Sequence, residues 1–347
     1  MRDAMSASWS GDSAAPKVVC VTAPAKINPH LEVLSKRADG YHELDMLMLA
    51  INLVDELEVR RGSGERGEVS LQVSELSPGA AAGCPSDATN LAWRAAAGVR
   101  ALAGELGREP AALELHLQKR IPSEAGLGGG SSDAAAAVLG AATVLGLDLD
   151  NPGLVALLSE LGSDCAFFLA ARATGAARCG GRGERIKPLE LPAFEGADEP
   201  HVLLLTPAVR SSTPAVYAAL ELPSESEQRS TPELGALLRG EESPFCRLEG
   251  AAIQAFSQLG EWRVLLSEVT QDIRAFDGTE KCGLGYPGSH WGTFTLSGSG
   301  SSFFAFLPNR DFGERLLATV RVAAKARHYG LRHASVVALN GAGVALQ

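Results

Sequence analysis

Residues 121–133 read IPSEAGLGGGSSD, and an alanine-rich stretch that predicts a helix follows at once. Glycines at such a point let the backbone wrap closely around a ligand, because they carry no Cβ atom. The unpaired amides and the positive dipole end of the following helix favour a phosphate group. The segment therefore predicts a phosphate-binding loop ahead of a helix. Its candidate nucleotide contacts are Pro122, Gly126, Leu127, Gly128, Gly129, Gly130, Ser131, Ser132 and Asp133.

An ordinary capped helix start has similar letters, since Ser and Asp are preferred N-caps and glycine suits a turn. Three consecutive glycines followed by Ser131, Ser132 and Asp133 favour the phosphate interpretation. The three polar side chains add oxygens suited to hydrogen bonding or to a magnesium ion. The segment is not a Walker A loop, because no Gly-Lys-Ser/Thr follows, and it is not the dinucleotide fingerprint, because Ser131 replaces the final glycine.

Composition restricts the partners. The 347 residues are 46% hydrophobic, enough for one large domain or two ordinary ones. A net charge of -10 gives no basic footprint for nucleic acid. Scattered cysteines without a Cys-x-x-Cys pair predict reduced thiols in a cytoplasm, and the histidines lack metal-ligand spacing, so any metal is expected to arrive with a nucleotide. No apolar run could span a bilayer, so no membrane partner is expected, and no motif indicates an oligomeric state.

Hydrophobic periodicity predicts an α+β fold with two domains. Residues 1–17 predict a disordered leader, residues 18–196 a first domain and residues 197–347 a second. Pro29 cannot donate a ladder hydrogen bond, so its strand is expected at a sheet edge or with a bulge. Predicted strands lie at 18–21, 26–33, 56–60, 69–73, 113–118, 202–206 and 303–307, and predicted helices at 90–106, 132–145, 153–161, 214–220, 248–259 and 312–329.

Several polar residues have ordinary interpretations from position alone. Asp164 stands in an apolar neighbourhood, where a carboxylate needs a partner, and a helix cap would also explain it. A lone lysine such as Lys26 commonly extends from a strand edge to water. Tyr41 and His42 follow a turn-like Ala-Asp-Gly, and Asn90 opens a predicted helix as a cap would.

The glycine loop resembles the phosphate loop of the GHMP kinases. Further segments match in the family's order between residues 23 and about 306, namely APAKIN at 23–28, RADGYH at 37–42, LGSDCAFF at 161–168, GRGE at 181–184 and LSGSG at 296–300. The resemblance implies two domains with the active site in the cleft between them, and ATP as phosphoryl donor with Mg²⁺. The segments at 23–28, 37–42 and 161–168 narrow it to the branch that phosphorylates the 2-hydroxyl of a cytidyl sugar alcohol in the non-mevalonate isoprenoid pathway.

The resemblance also implies roles for the catalytic residues. Asp164 is the base that accepts the hydroxyl proton, and Lys26 pairs with it and neutralises the transferring phosphoryl group. Such a pair would keep the aspartate ionised until it takes the proton. Asn28 orients the substrate hydroxyl, and Asn90 lies near the adenine.

The substrate's cytosine is implied to meet a second group of residues. Tyr41 stacks on the base and His42 reads it by hydrogen bonds. The segment TPAVY at 213–217 resembles a substrate-binding segment of the family that includes Thr213 and Pro214, and its Tyr217 closes the stack from the other side. The loop at 297–302 is implied to lie beside the substrate's phosphates or the transferred group.

The chain departs from the family's pattern at Pro29, at Cys246-Arg247 in place of an Asn-Asp pair, and in a longer stretch at about 262–293.

Two alternative functions stay open. Another GHMP kinase activity, of the homoserine or mevalonate type, would not need the cytosine residues. A kinase-like binding protein without catalysis is the other, and the presence of Lys26 and Asp164 argues against it.

Overall fold

A computed structural model describes residues 15–62, 68–108, 111–194, 200–276 and 289–347. These ranges contain both strands and helices, in runs of each kind, which confirms the predicted α+β class. The strands are β1 (Val18–Lys36), β2 (His42–Gly62), β3 (Val69–Glu75), β4 (Ala112–Lys119), β5 (Ala176–Gly181), β6 (Arg185–Pro188), β7 (His201–Pro207), β8 (Phe245–Cys246), β9 (Thr295–Leu296), β10 (Phe303–Leu307), β11 (Leu331–Ala338) and β12 (Ala345–Leu346). The helices are α1 (Leu91–Glu105), α2 (Gly129–Val144), α3 (Pro152–Leu161), α4 (Cys165–Ala170), α5 (Thr213–Ala218), α6 (Leu234–Leu238), α7 (Leu248–Ala255), α8 (Ser257–Phe276) and α9 (Arg310–Ala326).

The strands form two sheets. The larger sheet has the order β12-β1-β2-β4-β3, and β5 and β6 extend it from β2 while β8 pairs with β1. The smaller sheet has the order β11-β7-β10-β9. Because β8 and β12 lie beyond residue 200, the later part of the chain returns twice to the larger sheet. The domain division at residue 197 stays a prediction, and residues 1–14 of the predicted leader lie outside the described ranges.

Helix α2 is buried on nearly all sides, as its alanine-rich sequence predicts. Its residues from Ser132 to Ala142 have almost no exposed surface, and the helix packs against β1, β2 and α1. A helix that is apolar all round is typical of a protein core. Gly140 allows a close approach, since a Cβ there would lie 2.6 Å from a methyl group of Val59. This packing fixes the first turn of α2 beside β1.

Two local predictions have different outcomes. The pairing register of β1 and β2 shifts between Ile27 and His30, so Pro29 lies in a bulge as predicted. The single helix predicted at 248–259 is wrong, because the chain breaks at Phe256 into α7 and α8. Helix α8 takes up the first part of the long stretch at 262–293, and residues 277–288 of that stretch lie outside the described ranges. Within the described ranges, no helix combines the length and the apolar character that a membrane crossing requires.

Candidate active site

A cleft of about 1030 Å³ opens where β1, the glycine-rich loop, α5 and the β9–β10 loop meet. It is lined by residues from the whole length of the chain, from Lys26 on β1 to Gly300 after β9. The turn at 37–42 and the segment before α4 complete the wall. The cleft therefore collects the segments that the sequence singled out.

The glycine-rich loop ends at the first turn of α2 in the wall of the cleft. Gly128 is the residue before the helix, has a φ of +68° and offers no side chain to cap the first amides. A Cβ on Gly128 would lie 2.9 Å from Cγ of Lys26. At Gly126, with a φ of +73°, a Cβ would overlap the carbonyl oxygen of Ser297. Only glycine therefore lets the loop approach both β1 and the β9–β10 loop.

The polar residues after the glycines do not cap the helix, because they lie within its first two turns. Ser132 is fully buried, its hydroxyl has no hydrogen-bond partner, and it does not line the cleft. Asp133 Oδ2 accepts a hydrogen bond of 2.6 Å from Lys119 Nζ. Its Oδ1 has no hydrogen-bond partner.

A buried cluster of three charged side chains lies at the start of α2, next to the glycine-rich loop. Lys119 Nζ bridges the carboxylates of Asp133 and Asp55, and all three side chains are almost fully buried. Burial disfavours the charge of Lys119, but the two carboxylates outweigh it and raise its pKa. Burial, together with the second carboxylate, raises the pKa of Asp133. The cluster joins β2 and the end of β4 to the start of α2.

Lys26 and Asp164 form an ion pair in the cleft, with 3.3 Å between Nζ and Oδ2. Lys26 is only 3% exposed, so it does not extend to bulk water, and its Nζ also donates to Asn28 Oδ1 at 2.7 Å. Asp164 precedes α4, yet its side chain makes no cap hydrogen bond and is 30% exposed. The backbone amide of Lys26 donates to the carbonyl of Leu127 at 2.9 Å. Strand and loop thus hold this pair together, and a helix cap does not explain Asp164.

The aromatic residues predicted for the base are gathered at another part of the cleft. The rings of His42 and Tyr217 are stacked, with centroids 4.9 Å apart and an angle of 25° between them. Tyr41 is 51% exposed and has the guanidinium carbon of Arg182 5.0 Å from its ring centre. Burial, followed by Lys36, lowers the pKa of His42, so its neutral form is favoured. One face of Tyr217 is therefore covered by His42, whereas Tyr41 carries a planar cation.

Three more predicted residues have clear local roles. Asn90 caps α1, because its Oδ1 accepts from the amide of Ala92 at 2.9 Å, and it also lines the cleft. Thr213 begins α5 and its hydroxyl lies 2.7 Å from that of Ser299, while Pro214 follows in the first turn. The predicted site residues other than Ser132 all line the cleft, namely Lys26, Asn28, Tyr41, His42, Asn90, Pro122, Gly126, Leu127, Gly128, Gly129, Gly130, Ser131, Asp133, Asp164, Thr213, Pro214 and Tyr217.

Sequence reasoning missed several residues of the cleft. Arg182 was quoted only as part of a family segment, and Lys119 precedes the glycine loop without a pattern of its own. Both line the cleft, as does Ser163, whereas Ser299 belongs to the loop at 297–302 that was already expected there. The available signal for Lys119 was its position two residues before the phosphate loop, where a cation can reach the start of the following helix. Cys246, on the strand β8 that pairs with β1, donates its thiol to the carbonyl of Gly298 at 3.2 Å.

Comparisons with known proteins show which family this chain resembles. The GHMP kinases N terminal domain family matches residues 90–172. A 4-diphosphocytidyl-2-C-methyl-D-erythritol kinase from Thermus thermophilus is 36% identical over 312 residues, which cover 88% of this chain and 93% of that protein. A kinase of the same name from a Synechococcus species is 46% identical over 201 residues, which cover 57% of this chain and 59% of that protein.

A crystal structure of a 4-(cytidine 5'-diphospho)-2C-methyl-D-erythritol kinase superposes with a TM-score of 0.63 and 33% identity, covering 92% of this chain and 98% of that one. The resemblance drawn from the motifs is thus confirmed over most of the chain. On this sequence identity and coverage, the chain belongs to the 4-diphosphocytidyl-2-C-methyl-D-erythritol kinase family.

Proposed function

We propose that this chain is a kinase that transfers a phosphoryl group from ATP to the 2-hydroxyl of 4-diphosphocytidyl-2-C-methyl-D-erythritol in the non-mevalonate isoprenoid pathway. The observation that carries the proposal is the ion pair of Lys26 and Asp164 in the same cleft as the glycine-rich loop. Phosphoryl transfer to an alcohol needs a proton acceptor, charge neutralisation and a phosphate cradle. The names of the relatives supply the substrate. The cysteines that the structure describes are free, and free thiols are typical of cytoplasmic proteins, which supports a cytoplasmic location.

The residues divide the reaction among them. The carboxylate of Asp164 takes the proton of the acceptor hydroxyl while that oxygen bonds to the γ-phosphorus and the bond to the bridging oxygen of ADP breaks. Lys26 neutralises charge on the transferring group, and Asn28 fixes the ammonium by its hydrogen bond of 2.7 Å. The first-turn amides of α2 are proposed to hold the phosphates, because the first turn lines the cleft and unpaired amides at a helix start favour an anion. Asn90 is proposed to lie at the adenine end.

Magnesium fits this site as a companion of ATP. Mg²⁺ usually keeps several waters and is held by one or two protein oxygens together with substrate phosphates. Within the described ranges no cluster of three His, Cys, Asp or Glu side chains could hold a metal by itself. The hydroxyl of Ser131 and the unpaired Oδ1 of Asp133 are the candidate protein oxygens at the loop. Bound there, Mg²⁺ would offset part of the phosphate charge.

The aromatic group supports the cytidyl substrate over other alcohols. The guanidinium of Arg182 over Tyr41 marks a ring face that accepts a flat partner, and a cytosine ring could take that place. A neutral His42, held by its stack on Tyr217, could exchange hydrogen bonds with the base. Thr213 and Pro214 are proposed to contact the rest of the substrate. Homoserine and mevalonate contain no base, so their kinases would not need this group.

The proposal is tested by ADP release from the purified protein with the cytidyl substrate, homoserine and mevalonate in parallel. Turnover with the cytidyl substrate alone is expected. Turnover with homoserine or mevalonate instead would replace the substrate assignment, and no turnover with any of them would favour the binding protein.

The variant Asp164→Asn tests the catalytic assignment. It is expected to lower kcat by about 10²–10⁴-fold with little change in ATP affinity, because a general base acts in the transition state. Asp150→Asn is the matched control, since Asp150 is largely exposed and pairs with Arg172 outside the cleft. Unchanged turnover of Asp164→Asn would exclude its role as base.

A further inference from the structure

Arg332 occupies an irregular position on a strand of the smaller sheet. Strand β11 pairs antiparallel with β7, and the register shifts between Leu331 and His333. Arg332 is therefore the additional residue of a β-bulge. Bulges near active sites commonly redirect a side chain that regular pleating would point elsewhere. Here the redirected side chain extends beyond the end of β7.

The guanidinium of Arg332 binds three separate segments of the chain. Its Nη1 donates to the carbonyl of Ser123 at 2.6 Å, and its Nη2 lies 3.3 Å from the carbonyl of Glu124. The same Nη2 lies 3.1 Å from the carbonyl of Val209 and 3.1 Å from the hydroxyl of Ser301. Its Nε lies 3.2 Å from the carbonyl of Pro207, at the end of β7. All three nitrogens of the planar fork are thus engaged.

Each of these segments leads directly into the cleft. Ser123 and Glu124 precede the glycine-rich loop, Val209 precedes the substrate-facing residues of α5, and Ser301 ends the β9–β10 loop. Arg332 itself does not line the cleft. Among the described residues, no carboxylate lies within 4.0 Å of its guanidinium, so its hydrogen bonds go to carbonyl and hydroxyl oxygens.

The segments also touch one another at the cleft. The hydroxyl of Ser297 donates to the carbonyl of Gly126 at 3.0 Å, and that of Ser211 donates to the carbonyl of Ser299 at 2.6 Å. The hydroxyl of Ser301 donates to the carbonyl of Val209. Each of these contacts joins only two of the three segments. The guanidinium behind them is the group that contacts all three segments together.

We infer that Arg332 is a positioning residue that sets the spacing of the phosphate loop, the β7–α5 segment and the β9–β10 loop. The inference rests on the proposed kinase reaction for its kinetic readout. An error of about 1 Å in the relative placement of ATP and acceptor can reduce turnover about 10²-fold. The loss should fall on kcat more than on the affinity for either substrate alone, because each loop keeps its own contacts.

The experiment compares Arg332→Ala with the wild-type protein, first confirming that the wild type phosphorylates the cytidyl substrate. The variant is expected to lose about 10–100-fold in kcat, with an ATP dissociation constant within about threefold of wild type. Added methylguanidine should restore part of kcat in Arg332→Ala only. Arg321→Ala is the matched control, because Arg321 donates to the carbonyl of Ala334 on the same strand and does not reach the cleft.

Two outcomes would overturn the inference. One is a kcat of Arg332→Ala within twofold of wild type, and the other is a loss that vanishes when rates are divided by the folded fraction. If Arg332→Ala does not fold, Arg332→Lys takes its place, since it keeps the charge and the stem but lacks the planar fork. A wild-type kcat in a folded Arg332→Lys would equally contradict the inference. Failure of the wild type itself to phosphorylate the cytidyl substrate would refute the proposed function, and ATP binding by the variants would still be measurable.

Discussion

Arg247 forms a two-pronged ion pair with Glu32, and its replacement by methionine should destabilise the fold. Its Nε and Nη2 donate to Oε1 and Oε2 of Glu32 at 2.7 and 2.8 Å. Glu32 lies on β1, is 0% exposed and also accepts from the amides of Val33 and Arg229 at 2.9 and 2.8 Å. The same arginine donates to the carbonyl of Glu227 at 2.6 Å. Arg247→Met would leave a buried carboxylate with only two amide donors.

The size of the effect follows from this burial. Breaking a buried ion pair by removing one partner costs about 3–5 kcal/mol, because the remaining charge stays desolvated. Arg247 is 23% exposed, so water can reach part of the site, and the two amides still serve Glu32. We therefore expect the lower end, about 3 kcal/mol of the free energy of unfolding. Urea unfolding should show a lower midpoint with an unchanged slope.

The matched control is Arg239→Met. Arg239 makes the same two-pronged contact to Glu241, at 2.7 and 2.9 Å, but both side chains are about half exposed. Its removal should leave the urea midpoint unchanged, because exposed pairs contribute little. Equal midpoints for Arg247→Met and Arg239→Met would refute the reasoning. The double variant Glu32→Gln/Arg247→Met should recover part of the loss, since it leaves no buried charge unpaired and keeps an oxygen that can accept from a backbone amide.

The pH dependence gives a second check of the same pair. Burial alone would raise the pKa of Glu32, but the hydrogen bonds from Arg247 and the two amides outweigh it and hold this pKa below the ordinary 4.5. The folded state then favours the ionised carboxylate. The contribution of the pair is present above pH 4.5 and is lost as the pH falls through the lowered pKa. The stability gap between wild type and Arg247→Met should therefore narrow below pH 4.5.

Two further predictions concern the cleft. Gly126→Ala should raise KM for ATP more than about tenfold, because the new methyl group would overlap the Ser297 carbonyl. Gly107→Ala is the control, since Gly107 has the same φ of +73° but open space around it, and it should leave KM unchanged. Similar KM values in the two variants would show that the close approach is unimportant. Burial lowers the pKa of His42 below 6.5, so KM for the cytidyl substrate should be constant from about pH 8 to 6.5 and rise only in more acidic buffer. His42→Phe should lack that rise, and a rise already at about pH 7 would contradict the neutral imidazole.

Short segments of the chain carry the predictable part of the fold and site. The glycines before α2 need only local backbone geometry, and Lys26 and Asn28 share a strand face because side chains alternate with a period of two. The structure places their side chains 2.7 Å apart, just before the bulge at Pro29. The stack of His42 on Tyr217 was not predicted, because each residue was assigned to the base and neither to the other.

Pairs of residues far apart in the chain carry the unpredictable part. Lys119 and Asp55 are 64 positions apart, and Arg247 and Glu32 are 215 apart. A buried charge in one segment predicts that a partner exists, because an unpaired charge is costly, but it does not say which segment supplies it. The partners of Arg332 are harder still to predict, since most of them are backbone carbonyls, which every residue possesses. The residue types at the accepting positions therefore do not indicate such contacts.

The charges of the cleft bear on how an acidic protein binds two anionic substrates. The described residues that line it include three cations and three carboxylates, namely Lys26, Lys119, Arg182, Glu124, Asp133 and Asp164. Their charges balance in number. Lys119 is bound to Asp133 and Asp55, and Lys26 to Asp164. Side chains therefore supply little net positive charge at the phosphates, and with a total charge of -10 long-range attraction is weak as well. The amides at the start of α2 remain as the principal attraction for ATP, and they act only at short range. On this reasoning, catalysis depends on how accurately the loops are held. The contacts of Gly126 and the inferred positioning role of Arg332 would then matter more than the number of basic residues.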